Sequence, residues 1–171
     1  MKFIIILSVG LFPFAVFAGA FEDGAKAFKA RDYVTAVKFY KQAVDQGSAQ
    51  ASLRLGLVYI SEQTGLQSDE KAAKAFAKAA KQGVAEAQYY LGVLYQQGRG
   101  VVKSKQRAAE LFRVAANQGM SDAQYSLALL YFYGQGIPQS KEVAVIWLKK
   151  SAAQGNYTAR AQLKQLGIAE K

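Results

Sequence analysis

The chain has 171 residues and a net charge of +10, with 51% apolar and 20% charged residues, a balance that suits a folded protein rather than a disordered one. It contains neither cysteine nor histidine. Disulfides, thiolate nucleophiles, Cys/His zinc sites and imidazole-dependent triads are thereby excluded, and no metal or cofactor is expected.

The first stretch, residues 1–20, has the form of a secretory signal peptide. Lys2 supplies the positive charge. An apolar run from Phe3 to Phe17 follows, and Ala18-Gly19-Ala20 supplies small residues for cleavage. Cleavage after Ala20 fits an A-x-A site, and cleavage after Ala18 is the alternative. An uncleaved anchor needs about 20 apolar residues, more than this run offers. The expected location is therefore periplasmic or secreted. A basic exported chain has anionic lipid headgroups or an acidic protein as its natural counterparts, and nucleic acid is not expected.

Two short helices fit residues 21–48. The first covers 21–30, with Phe21, Ala25 and Phe28 at helical spacing. Asp32 can cap the second, in which Ala36, Phe39, Tyr40 and Ala43 form one apolar face. That helix ends at Gln46-Gly47. The same pair recurs at Gln82-Gly83, Gln118-Gly119 and Gln154-Gly155, each 36 residues after the last. Glycine suits the left-handed position after a helix end because it has no Cβ to clash. Strict spacing of this kind marks a repeat array.

Each full repeat, over residues 49–84, 85–120 and 121–156, reads as two helices around a loop. The first helix carries a buried stripe: Ala51, Leu55, Val58 and Tyr59, then Ala87, Leu91, Leu94 and Tyr95, then Ala123, Leu127, Leu130 and Tyr131. Gly56 and Gly92 sit mid-helix, with Ala128 in the third copy. A residue that small costs helix propensity and implies a close neighbour. The loops Gly98-Arg99-Gly100-Val101 and Gly134-Gln135-Gly136-Ile137 permit a tight reversal, with the last apolar residue tucked beneath it. The first copy has only Gly65 there, and a looser turn is expected. Ser68, Ser104 and Ser140 stand where the second helix needs an N-cap. Its buried face is Ala72, Ala75, Phe76 and Ala79, then Ala108, Leu111, Phe112 and Ala115, then Ala144, Trp147, Leu148 and Ser151. Residues 157–171 supply a capping helix, with Ala159 and Leu163 in register, and a tail expected to fray from Ile168.

These residues resemble the Sel1-like repeat family. The shared pattern is A-x-x-x-L-G-x-L-Y-x-x-G-x-G-V followed by A-x-x-L/W-F/L-x-x-A-A-x-Q-G, and residues 87–119 fit it almost throughout. The tetratricopeptide repeat, of about 34 residues, is the nearest competitor. The resemblance implies an all-α solenoid of stacked antiparallel helix pairs forming a superhelix. It also implies a non-catalytic adaptor that binds a protein partner in envelope signalling, assembly or host contact. An immunity-type inhibitor of a secreted toxin or effector enzyme is the alternative. The chain is expected to be a monomer and not an enzyme.

The first helices hold a second apolar pattern, roughly opposite the buried stripe. It comprises Leu53, Leu57 and Ile60, then Tyr89, Val93 and Gln96, then Tyr125, Leu129 and Phe132, with Tyr133 beside them. The resemblance places first helices on the concave surface, so Tyr89, Val93, Gln96, Tyr125, Leu129, Phe132 and Tyr133 are the candidate partner-binding residues. The same residues would alternatively pack against neighbouring first helices. Basic residues gather on the second helices: Lys38, Lys41, Lys71, Lys74, Lys78, Lys81, Arg107, Arg113, Lys149 and Lys150. They read as a solvated outer face or as a surface for anionic lipid or an acidic partner. The glycine pairs are not phosphate loops, since no Gly-Lys-Ser/Thr follows them. Asp69-Glu70 reads as a helix start, and Asn156-Tyr157-Thr158 matches a glycosylation sequon.

Overall fold

The computed structural model describes residues 14–168, with side chains from Gly19 onward. Among the described residues the chain forms nine α-helices: α1 (Phe14–Lys29), α2 (Tyr33–Asp45), α3 (Ala49–Ile60), α4 (Asp69–Lys81), α5 (Ala85–Gln97), α6 (Lys105–Asn117), α7 (Ser121–Tyr133), α8 (Lys141–Ala153) and α9 (Tyr157–Gln165). Each helix packs on the ones before and after it in the chain, and α3 also touches α5. The result is a solenoid of antiparallel helix pairs, α1/α2 through α7/α8, closed by α9.

The expected leader falls mostly on residues outside those described. From Phe14 the chain is already helical, so α1 starts earlier than the 21–30 expected, and Ala20 is buried in the first core cluster. No described helix is long and apolar enough to cross a membrane. At the other end, Ile168 is not frayed. Its N–H donates to the Leu163 carbonyl at 3.0 Å, and its side chain packs on the third core cluster. The rest of the tail lies outside the described residues.

Helix ends follow from local chemistry. The hydroxyls of Ser48, Ser68, Ser104 and Ser140 and the carboxylate of Asp32 each accept a bond from the backbone N–H three residues on. The glycines of the Gln-Gly pairs have φ of 87° to 92°. The N–H that follows each reaches back to the carbonyl five residues earlier, as in Val84 to Ala79 at 3.2 Å and Met120 to Ala115 at 3.1 Å. This is a Schellman closure, which satisfies carbonyls that the helix leaves open.

The interior of each pair is built around one contact. Phe76 and Phe112 are fully buried, and each ring lies on the glycine of the preceding helix. A Cβ on Gly56 would stand 2.4 Å from Phe76 Cε1, and one on Gly92 would stand 2.7 Å from Phe112 Cε1. Gly24 and Tyr40 repeat the arrangement in the first pair, where a Cβ would stand 2.7 Å from the ring. The third full repeat replaces both members at once: buried Ala128 shares the third cluster with Leu148. Burial of each ring contributes roughly 2–3 kcal/mol.

The first full repeat departs from the expected looser turn. A short 3-10 turn over Glu62–Thr64 replaces the glycine pair, and the Thr64 hydroxyl lies 2.9 Å from the carbonyls of both Val58 and Ser61. The Leu66 N–H donates to the same hydroxyl at 3.2 Å. In all three repeats the N–H of the capping serine then donates to a first-helix tyrosine carbonyl, from Ser68 to Tyr59, Ser104 to Tyr95 and Ser140 to Tyr131, at 2.8 to 3.0 Å. The loops thus share one closing bond despite different sequences. Val101 and Ile137 tuck against the core as expected.

Polar contacts recur within the repeats and between them. Gln118 Nε2 donates to Gln88 Oε1, and Gln154 Nε2 to Gln124 Oε1, both at 2.8 Å. Gln88 and Gln124 in turn donate to the Ala80 and Ala116 carbonyls at the end of the preceding helix. Arg99 in the second loop grips Asp69 at the start of α4 with two bonds of 2.9 and 2.7 Å. Gly100 makes this approach feasible, because a Cβ there would sit 2.3 Å from the Asp69 carbonyl group.

Two tests follow from this packing. Gly92→Ala should lower stability by about 1–2 kcal/mol, although alanine is the better helix former, because the Phe112 ring has no room to retreat. Adding Phe112→Leu reproduces the Ala128/Leu148 pair, and denaturant titration of the double variant should show a favourable coupling of at least about 0.5 kcal/mol. Separately, the Arg99 guanidinium holds the Asp69 carboxyl below its ordinary value of 3.8. The pair therefore stabilises the fold at neutral pH, and that contribution is lost as pH falls through the lowered value. Both side chains are partly exposed, so Asp69→Asn should cost at most about 1 kcal/mol at pH 7. Thermal melts should show the difference from the parent protein vanishing at acid pH.

Candidate functional site

The residues expected to meet a partner lie on the first helices α5 and α7. The structure divides them into distinct surroundings. Tyr89 and Val93 are half-buried and pack against the second core cluster, while Tyr125 packs against the third. Gln96 and Leu129 are half-buried on the same helices. Phe132 and Tyr133 form an edge-to-face pair at the end of α7, with ring centroids 5.1 Å apart. Tyr133 is 58% exposed, the most open of the seven.

Tyr89 is part of a string of rings that crosses a repeat boundary. Phe76 stacks on Tyr90 at 5.1 Å, Tyr90 meets Tyr89 at 5.5 Å, and Tyr89 tilts onto Phe112 at 5.7 Å. Such offset and edge contacts add attraction beyond simple burial. Burial raises the pKa of both phenols; Asp122 adds to this at Tyr89 and Glu86 at Tyr90, while the Ser126 hydroxyl acts the other way on Tyr89. Both remain neutral, with an O–H to donate. Leu53 lies wholly in the core at 2% exposure, and Leu57 and Ile60 pack on it, so the second stripe of α3 is mostly a packing face.

Tyr90 was not among the candidates. Its register partners are Arg54 and Ser126, three unlike side chains, so comparison of repeats gave no reason to choose it. Gln88 and Gln124 were missed likewise. They sit within the apolar stripe and are almost wholly buried, and only their link to the glutamines of the Gln-Gly pairs explains them.

The basic residues of the second helices are all exposed, as expected. Several nevertheless have intramolecular partners. Lys71 lies 5.6 Å from the Tyr59 ring centre and Arg107 lies 5.4 Å from that of Tyr95, while Lys150 stands 4.3 Å from the Trp147 centre. Lys78 donates to the Val44 carbonyl at 3.1 Å. Lys141, outside the expected set, lies 5.7 Å from the Phe132 ring. The cations over rings gain cation–π attraction and so do not form an undivided charge field.

The repeated register, the buried rings and the loop closure together point to one family, and the Sel1 repeat model matches residues 18–48, 49–84, 85–120 and 121–156. The chain belongs to the Sel1 repeat family. A protective antigen of uropathogenic Escherichia coli with an SLR fold superposes with a TM-score of 0.82 at 31% identity, over 90% of this chain and 35% of that one. A Sel1 repeat protein of Oxalobacter formigenes gives 0.75 at 33% identity, over 89% of this chain and 64% of that one. The chain thus spans about a third of the first relative's length and somewhat under two thirds of the second's. Helicobacter pylori cysteine rich protein B shares the fold, with a TM-score of 0.60 at 21% identity over 83% of this chain and 96% of that one. No curated protein matches the sequence. Sel1 repeat proteins generally act as protein-interaction adaptors and are typically non-catalytic scaffolds.

The geometry separates packing from surface within the candidate set. Tyr89→Ala should destabilise the protein by roughly 2–3 kcal/mol, because it removes a ring that rests on Phe112. Tyr133→Ala should change stability by no more than about 0.5 kcal/mol. Urea titrations of the two variants check both expectations.

Proposed function

We propose that the protein is an exported, monomeric adaptor that captures a protein partner on the inner face formed by its first helices. The observation that carries this reading is the aromatic edge at the end of α7, where exposed Tyr133 stands against half-buried Phe132. Aromatic side chains with a polar tip give large contact area at low entropic cost. Val93, Gln96, Tyr125 and Leu129 would extend the same face along α5 and α7, and Tyr89 would support it from beneath. The reading requires no catalytic step. The exposed lysines of α4, especially Lys74 and Lys81, suit an approach to anionic headgroups or an acidic partner.

Site-specific photocrosslinking in living cells tests this. A photoreactive residue placed at Tyr133 should give a discrete envelope adduct, and one at Arg113 on the second-helix side should not. Tyr133→Ala combined with Phe132→Ala should weaken capture of that partner by about tenfold or more, in line with loss of an aromatic anchor, while the thermal melt shifts only slightly. Equal crosslinking from both positions would overturn the inner-face assignment. Recovery of a secreted enzyme, with protection of cells that make this protein, would replace the adaptor with the immunity-type inhibitor.

A further inference from the structure

The first pair holds a feature that the repeat pattern did not anticipate. Between α1 and α3 lies a cavity of about 310 Å³ lined by Phe21, Ala25, Phe28, Tyr40 and Leu57, with Lys29 and Arg54 also on its wall. Phe21 and Tyr40 meet at 5.8 Å within it. Phe28 is 40% exposed, a large apolar side chain left partly uncovered. Lys29 and Arg54 are exposed, and neither has a carboxylate partner among the described residues.

The cavity is a local property of the first pair. At the next boundary the position of Arg54 is taken by Tyr90, whose ring stacks on Phe76, the register counterpart of Tyr40. Arg54 offers no ring at that place, and Tyr40 and Arg54 both line the open space. The chemistry is asymmetric. Apolar walls make up most of the lining, and positive charge is confined to two side chains. The walls come from helices, whose backbone N–H and C=O groups are already paired within each helix. An extended peptide laid in the cavity would find no main-chain partners for its own amides. A ligand with one polar end and an apolar body avoids that cost.

We propose that this cavity binds an amphipathic monocarboxylate, with its tail between Phe21, Phe28, Tyr40 and Leu57 and its carboxylate between Lys29 and Arg54. The volume stands at the lower end of those that hold small ligands, which limits the tail to roughly eight to ten carbons or one ring on a short linker. The site is separate from the face around Tyr133, so the two readings stand or fall independently.

Isothermal titration of the intact protein with decanoate, below its micelle concentration and at low salt, provides the test. Saturable one-to-one binding is expected. Affinity should rise about fourfold for each methylene from hexanoate to decanoate, as buried methylenes dictate. Decanol, with the same tail and no charge, should bind about fivefold more weakly, and Arg54→Gln should weaken decanoate by a similar factor. Ala25→Leu, which fills the cavity from α1, should abolish binding, with circular dichroism confirming that the helices persist. Absence of saturable binding would overturn the proposal. So would equal affinity for decanol, or binding unchanged in both variants, since either shows adventitious apolar adsorption. A peptide that displaces decanoate and binds more tightly would also overturn it, making the cavity part of a protein-binding surface.

Discussion

The structure depends on an aromatic ring laid on a backbone position that has no side chain. Phe76 on Gly56 and Phe112 on Gly92 bring two helices closer than any Cβ would permit. Glycine in mid-helix costs about 1 kcal/mol relative to alanine. Full burial of a ring more than offsets that cost. The contact also fixes the rotation and offset of the paired helices, because the ring fits only where the gap is. Once the pair is set, the loop has a defined span to cross, and the bond from the capping serine N–H to the tyrosine carbonyl closes it in all three full repeats. A loop with two glycines and a loop built on Thr64 both meet that requirement.

Contacts between pairs obey a different rule. Beside the ring contact of Phe76 with Tyr90, repeated polar bonds use helix ends that would otherwise be left open. The glutamine of each Gln-Gly pair at the end of α6 and α8 donates to a glutamine buried in the helix before it, which itself satisfies a carbonyl of the preceding pair. In the first full repeat Ser52 is too short for that role, and Lys78 supplies the bond to the Val44 carbonyl instead. The third repeat carries a further exchange: Ala85 and Ala115 become Ser121 and Ser151, whose side chains bond to one another. Ser151 is fully buried, and its hydroxyl reaches the Ser121 carbonyl at 2.8 Å. That backbone carbonyl satisfies the buried donor, which left unpaired would cost about 1–3 kcal/mol.

Much of this architecture was legible in the sequence because repetition acts as an internal control. The 36-residue register showed which positions are apolar in every copy, and those positions form the core. It also showed that Gly56 and Gly92 needed a close neighbour, though not which residue would supply it. Other features lay beyond this kind of reading. The Thr64 closure uses a side chain that no other copy has at that place. Gln88 and Gln124 gave no signal, since their glutamine partners stand 30 residues away at the end of the second helix of the same repeat. Within the candidate set Tyr89 and Tyr133 looked equivalent from the sequence alone. Only the contact of Tyr89 with Phe112 and the exposure of Tyr133 separate a packed ring from an available one.

The same repetition explains where functional difference can reside. Positions that hold a pair together stay complementary, as when Gly92 and Phe112 become Ala128 and Leu148. The first-helix positions beside them carry no such restriction. The series Arg54, Tyr90 and Ser126 places a cation, a stacked ring and a small hydroxyl at one point of the register, and Ser61, Gln97 and Tyr133 differ as widely. Each choice alters what lies between neighbouring first helices: a cavity beside Arg54, a stacked ring at Tyr90, an aromatic edge near Tyr133. A uniform scaffold thereby acquires a varied first-helix face. Because these side chains hang on helices whose spacing is set elsewhere, exposed ones among them can change without disturbing the helix pairs. Such a division of labour lets a short array hold one shape and still present several unlike surfaces.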